Sequence, residues 1–448
     1  MRIVLVIGVL FVVVGTIFPI QPTSADQGTD SFIPTFEPAD CQFKIPMGER
    51  VDCGYLTVPE VRSIEADAPD FRTIRLHVAH FHSHNPDPPA DPIIYLVGGP
   101  AVSIFIEMDS SFYHFAALLD NRDVYVFDQR GIGYSEPALQ CPPSRINFYL
   151  ESISDCRDDL TAQGINLSGY TTTESAADVA DLRLALDIDE WNVVGVSYGT
   201  RLAMAVLRDN DAGVRSVIID SVLPLGDSDF SQFSGRGAYP DIFDQIYADC
   251  AADTACNAAY PDLHEAYQTV FQELRDNPVR QLDQWDFEFI VGRLLGATDT
   301  AQLVPYTIYN IYRDRERLLD PEPIHSTYTT YDGMSLSVNC ADGMNGGAVC
   351  STWGVRFDQE AAARSIESEV PILILSGAYD SITPTYGAQL MDDMLPNSNL
   401  FEIPFTSHGV IRSGGDCPQS MAFAFLDDPT EWPDAGCIEE MQARFYVE

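Results

Sequence analysis

Ser197 lies in Gly195-Val196-Ser197-Tyr198-Gly199, between a strand-like run, Glu190–Val194, and a helix-like one, Thr200–Leu207. A serine on a tight strand-to-helix turn presents its hydroxyl as an exposed nucleophile. The flanking glycines suit such a turn, because a side chain at either one would collide with the neighbouring strand or helix. An activated serine also needs a base, an acid that orients the base, and donors for a developing oxyanion. With this kind of turn the acid and then the histidine follow the serine along the chain. His408, in Thr406-Ser407-His408-Gly409, comes just after the last strand-like run and is the expected base. His77, His80, His82, His84 and His114 precede the turn, and His264 and His325 fall in a helical insertion. Asp380 follows the run Pro371–Tyr379 and precedes His408 by 28 residues, so it is the expected acid. Asp220, after the next strand-like run, is the alternative, but it suits capping or bracing the chain as it leaves for the helical insertion better. Gly98-Gly99-Pro100 ends another strand-like run. Pro100 has no N–H, so the oxyanion donors are expected to be the N–H groups of Gly99 and Tyr198.

These residues need a scaffold that brings distant loops together. Continuous apolar runs occur at Pro92–Val97 and Asp123–Phe127, and strand-like runs at Glu190–Val194, Val214–Asp220, Val370–Ser376 and Asn399–Pro404. Further strand-like runs lie at Gly54–Pro59 and Thr73–His82, and helical patterns at Ala176–Leu186 and Thr200–Asp209. Apolar runs separated by helices indicate an α/β fold with a mostly parallel sheet buried on both faces. From about Gly226 the periodicity becomes helical, at Pro261–Asn277, Phe287–Leu295 and Ala301–Arg313. The expected organisation is a signal peptide over 1–25, a lead-in over 26–40 and a first core part over 41–225. A mostly helical cap over 226–365 and a second core part over 366–448 follow.

The N-terminus reads as a secretory signal: Arg2, an apolar stretch from Ile3 to Phe18, and Thr23-Ser24-Ala25 as a cleavage site after Ala25. Sixteen apolar residues fall short of the 18 or more of a spanning helix. The expected location is therefore secreted or periplasmic, without stable membrane association after cleavage. Ten cysteines fit export. Their spacing suggests the neighbour pairs Cys41 with Cys53, Cys141 with Cys156, Cys250 with Cys256, Cys340 with Cys350, and Cys417 with Cys437, although spacing does not fix connectivity. A formal net charge of −42 argues against nucleic acid and anionic membranes as partners. Lys44 is the single lysine. An acidic, lysine-poor surface suits high salt, and G+C-rich coding explains the same composition equally well. His80, His82 and His84 share one strand face. That strand-like run ends at Asn85-Pro86 without an accompanying acid or cysteine pattern, so a partly exposed sheet edge is expected, with no metal and no cofactor.

Several segments together carry a resemblance. Gly98-Gly99-Pro100, Asp128–Ser135 (Asp-Gln-Arg-Gly-Ile-Gly-Tyr-Ser), Gly195–Thr200, Gly377–Pro384 and Ser407-His408-Gly409 resemble the tripeptidyl and prolyl aminopeptidase family of α/β-hydrolases. The serine turn and Cys417 after the histidine are nearer the secreted tripeptidyl branch. The likeness runs in order from about Cys53 to Cys437, and Ala101 departs from it where the family has glycine. The resemblance implies hydrolysis of peptides or amides from a free N-terminus through an acyl-enzyme on Ser197. It makes Asp342, just after Cys340, a candidate for holding the substrate ammonium. Asp128 and Arg130 read as a carboxylate and a guanidinium bracing a loop beside the site. Two other readings stay open: a carboxylesterase or lactone/amide hydrolase with the same triad, and a catalytically silent hydrolase-like binding protein.

Overall fold

The computed structural model describes residues 32–141, 150–225, 234–319 and 331–448. The expected signal peptide and its cleavage site lie outside the described residues. Among the described residues nine strands form one sheet in the order β1-β2-β3-β5-β4-β6-β7-β8-β9. They are β1 (Thr35–Ala39), β2 (Val51–Pro59), β3 (Thr73–Phe81), β4 (Ile93–Leu96), β5 (Val124–Phe127), β6 (Trp191–Ser197), β7 (Val214–Val222), β8 (Ile372–Gly377) and β9 (Ser398–Ile403). The first three strands and β5 pair antiparallel, and every pairing from β5 through β9 is parallel. β1 falls within the segment expected to be a lead-in, where Pro38 and the polar residues around it hid a strand.

Both faces of the parallel region are covered, which is why its strands read as unbroken apolar runs. Along β6, Val193 enters one hydrophobic cluster and Val194 the other. Along β8, Ile372 and Ile374 face one side while Leu373 and Leu375 face the opposite one. The helices Thr172–Ala185 and Tyr198–Asp209 pack against one face, and the helix Asp416–Asp427 against the other.

Between β7 and β8 the described residues contain helices and no named strand, including Tyr239–Ala252, Leu263–Asp276, Gln284–Gly292 and Val304–Arg313. The pattern over 301–313 is broken, because Pro305 sits in the first turn of its helix. These helices share a third hydrophobic cluster of their own, which Tyr379 joins from the loop after β8. The segment also bonds directly to the loops at the carboxyl ends of the strands. Gly235 N–H donates to Ser381 O (2.6 Å), Tyr379 Oη donates to Asp249 Oδ2 (2.5 Å), and Ser407 N–H donates to Thr298 Oγ1 (3.0 Å). Thr298 Oγ1 also donates to Ser413 Oγ at 3.0 Å.

Candidate active site

In a parallel sheet, ligands bind beyond the carboxyl ends of the strands. Gly98 follows β4, Ser197 ends β6, Asp380 follows β8 and His408 follows β9. Ser197 has φ 59° and ψ −126°, a backbone state that costs a non-glycine residue about 1–3 kcal/mol. Packing enforces it. A Cβ on Gly199 would overlap the Leu96 carbonyl of β4, and one on Gly195 would overlap the Gly199 carbonyl. The helix Tyr198–Asp209 therefore starts pressed onto two strands, and the turn cannot relax. Gly98 lies against the serine, since a Cβ there would be 2.8 Å from Ser197 Cβ. Tyr198 supplies the first N–H of the helix, a group without an intrahelical acceptor.

Gly98, Gly99, Ser197, His114, His408 and Arg412 border one cavity of about 140 Å3. Ser197 is half-buried, His408 is 8% exposed and Asp380 is fully buried. His408 Nδ1 lies 2.8 Å from Asp380 Oδ2, which leaves Nε2 as the nitrogen free to take a proton. No hydrogen bond joins Ser197 Oγ to His408 in this structure, and such contacts often tighten only when substrate binds. Burial opposes the charge on Asp380. It is outweighed by the facing imidazole and by Thr383, whose N–H and hydroxyl both donate to the carboxylate, so its pKa is held below the ordinary value. Thr383 Oγ1 also lies 3.0 Å from His408 Nδ1.

Asp220 bonds backbone rather than imidazole. It accepts from Val410 N–H (2.8 Å) and Ile411 N–H (2.9 Å), while Ser221 Oγ accepts from Gly409 N–H (2.8 Å). Asp220 does act as a brace, but of the chain just after His408 rather than, as expected, of the chain leaving β7 for the helical insertion. Asp342 does not border the Ser197 cavity. Its Oδ2 accepts from Thr172 Oγ1 (2.7 Å) and faces Arg201 at 3.4 Å, and burial raises its pKa. Thr172 in turn bonds the Tyr198 hydroxyl at 2.9 Å. Arg130 pairs with Asp178 through two hydrogen bonds of 2.6 and 2.8 Å, and also donates to Glu60 O. Asp128 accepts from Tyr134 N–H, and burial pushes its pKa up to about 7. The bracing by Asp128 and Arg130 is therefore two separate contacts. Thr383 lay inside the Gly377–Pro384 segment without its role being read, and Asp178 and Arg412 carried no sequence signal, because their partners lie on other segments.

A cavity of about 1130 Å3, far larger than the one at Ser197, borders β1 to β3 and is lined by no serine, threonine or free thiol, so chemistry rather than volume locates the site. Beside it, ligand atoms of Asp52, His80 and His82 lie within 4.8 Å of one another. The structure corrects the sheet-edge expectation, because β3 is paired on both sides. It also supplies the acids that β3 itself lacks: His82 bonds Asp52 and His80 bonds Asp123. His84 turns away to Asp120 and Glu49.

A sequence profile described as alpha/beta hydrolase fold matches residues 91–411. The chain belongs to the alpha/beta hydrolase fold family. Serine protease Hip1 of Mycobacterium tuberculosis is 23% identical to this hydrolase, over 88% of each chain. A proline iminopeptidase of Xylella fastidiosa is 27% identical, over 36% of this chain and 43% of that one. A solved serine hydrolase from Cycloclasticus zankles aligns with 84% of this chain and all of its own, at 14% identity and a TM-score of 0.40. The chain is thus an α/β serine hydrolase with distant peptidase relatives. The ten cysteines form five disulfides, each between the neighbours that spacing suggests, and these suit an extracytoplasmic compartment. Among the described residues no helix is long and apolar enough to cross a membrane.

Proposed function

We propose that this hydrolase is a secreted serine exopeptidase that releases residues or short peptides from free N-termini through an acyl-enzyme on Ser197. The observation that carries the chemistry is the Asp380–His408 pair, 2.8 Å apart, bordering the cavity that Ser197 borders. His408 Nε2 takes the Ser197 proton, and Oγ attacks the scissile carbonyl. The carbonyl oxygen gains the negative charge and accepts from the N–H groups of Gly99 and Tyr198. His408 then gives its proton to the departing amine as the C–N bond breaks, leaving the acyl-enzyme. Water, deprotonated by His408, attacks that ester, and Ser197 recovers its proton. Asp380 stays ionised, holds the Nδ1–H tautomer and stabilises the imidazolium.

The distant likeness to a serine protease and to proline iminopeptidases supports a peptide substrate. In this reading the segment over 226–365, helical in its described residues, is the cap that limits access to chain ends. An aminopeptidase needs a carboxylate for the α-ammonium, and Asp342 as placed supplies none to the cavity. No described residue lining that cavity is a carboxylate. That observation favours, as a second reading, an ester or amide hydrolase indifferent to the substrate's amine.

The test compares a tripeptidyl p-nitroanilide bearing a free amine with its N-acetyl form, using Ser197→Ala as control. The exopeptidase reading expects the free-amine substrate to be preferred at least tenfold in kcat/KM, with all turnover lost in the variant. Better turnover of the blocked substrate and of simple p-nitrophenyl esters would establish the second reading instead.

A further inference from the structure

Arg412 stands out in the Ser197 cavity. The chain has 67 Asp and Glu against 25 Lys and Arg, and more than half of its described arginines have a carboxylate within ion-pair distance. The deeply buried Arg122, Arg130 and Arg201 each have one: Asp91, Asp178 and Asp342. Arg412, half-buried, has no carboxylate within ion-pair distance among the described residues. It instead donates to His114 Nδ1 (2.6 Å) and to the His408 carbonyl (3.1 Å), and lies 5.8 Å from the Tyr113 ring centre. Burial, with Arg412 beside it, lowers the His114 pKa to about 3, so that imidazole is neutral and accepts. A guanidinium has five N–H donors in a planar fork, and these contacts leave some of them free.

Its placement is built into the histidine loop. Arg412 lies one helical turn after His408, in the short helix Val410–Ser413. Gly409 leaves the room it needs, because a Cβ at Gly409 would overlap the Arg412 side chain. Asp220 anchors the same turn through the Val410 and Ile411 amides. The side chain is therefore held on the wall of a cavity that no described carboxylate lines.

We propose that Arg412 is a specificity residue that recognises a carboxylate on the substrate beside the scissile bond. This inference rests on the serine-hydrolase reading of the same cavity. A planar guanidinium pairs with a carboxylate through two parallel hydrogen bonds, and an uncompensated cation repels an α-ammonium from the same place. The substrate's acidic end, not its amine, thus occupies this wall. Such a carboxylate comes either from an acidic side chain flanking the cut or from the free C-terminus of a short peptide.

Two substrate pairs separate these sources. One compares Ala-Ala-Glu p-nitroanilide with its Gln counterpart, and the other compares tetra-alanine with its C-terminal amide. Wild-type enzyme is expected to favour the anionic member of one pair by about 10- to 100-fold in kcat/KM, the range of a charge-assisted hydrogen bond. Arg412→Gln should collapse that ratio, and Arg412→Lys should keep part of it. Equal or reversed preference by wild type in both pairs overturns the proposal even if the variants fail to fold, and so does a ratio unchanged in Arg412→Gln. Fluorophosphonate labelling of the wild type keeps the two readings apart. Labelling without an anion preference sinks only the role of Arg412, whereas absence of labelling and turnover sinks the serine-hydrolase chemistry beneath it.

Discussion

Thr383 is the residue that most sharpens the proposed relay. Its hydroxyl donates to Asp380 Oδ2 at 2.8 Å, and the same oxygen lies 3.0 Å from His408 Nδ1. It therefore fixes the carboxylate and crowds the imidazole into one orientation. A hydrogen bond to a charged group contributes about 1.5–3 kcal/mol, or about 10- to 100-fold in rate if all of it is felt in the transition state. Thr383→Val should lower kcat by that factor with KM nearly constant, and Asp380→Asn should lower it by about 10⁴-fold. Steady-state kinetics on one substrate decide the matter; equal rates in wild type and Thr383→Val would remove Thr383 from the mechanism. At this scale the sequence revealed Ser197, Asp380 and His408 as candidates, because each follows its own apolar run. It did not reveal Thr383 or Arg412, whose meaning depends on which loops fold against one another. The surroundings of Asp342 were hidden for the same reason. Its position after Cys340 was visible, but the Thr172 hydroxyl and Arg201 guanidinium that enclose it come from distant segments.

At the scale of elements, the turn between β6 and its helix is the joint on which the site depends. Gly199 meets the Leu96 carbonyl, so the helix start, β4 and β6 are fixed to one another there. Gly199→Ala forces a methyl group into backbone that cannot yield as a flexible side chain would. Overpacking of this kind typically costs about 1–3 kcal/mol, and a displaced Ser197 adds a loss of rate. The expected result is a lower midpoint in urea together with weaker fluorophosphonate labelling per folded molecule. An unchanged midpoint with full labelling would show that the contact is slack. The parallel strands were legible because burial on both faces leaves continuous apolar runs, and β8 with Ile372 to Leu375 is the clearest case. β1 was not, since its burial is slight and only its pairing with β2 defines it. Helix ends over 301–313 were blurred by Pro305, which starts a helix where apolar spacing alone runs straight through.

At the scale of the whole molecule, charge and cross-links act together. A formal charge of −42 makes the compact state repel itself, and five disulfides restrain the chain against that repulsion. Salt screens such repulsion, the Debye length falling from about 30 Å at 0.01 M to about 3 Å at 1 M. The thermal midpoint should therefore climb between 10 mM and 1 M sodium chloride, by about 1 °C for each kcal/mol of repulsion relieved in a chain of this length. A flat or falling midpoint in calorimetry would mean that the acidic surface is already balanced by its ion pairs. The hydroxyl of Thr298 has a consequence of a different kind. It clasps the chain on both sides of His408, at Ser407 and at Ser413, yet it belongs to the helices between β7 and β8. Those helices and the imidazole thus share a mechanical hinge pin. In the proposed reading of those helices as a cap, whoever redesigns them to admit a bulkier guest must leave residue 298 seated, or the imidazole will drift with it.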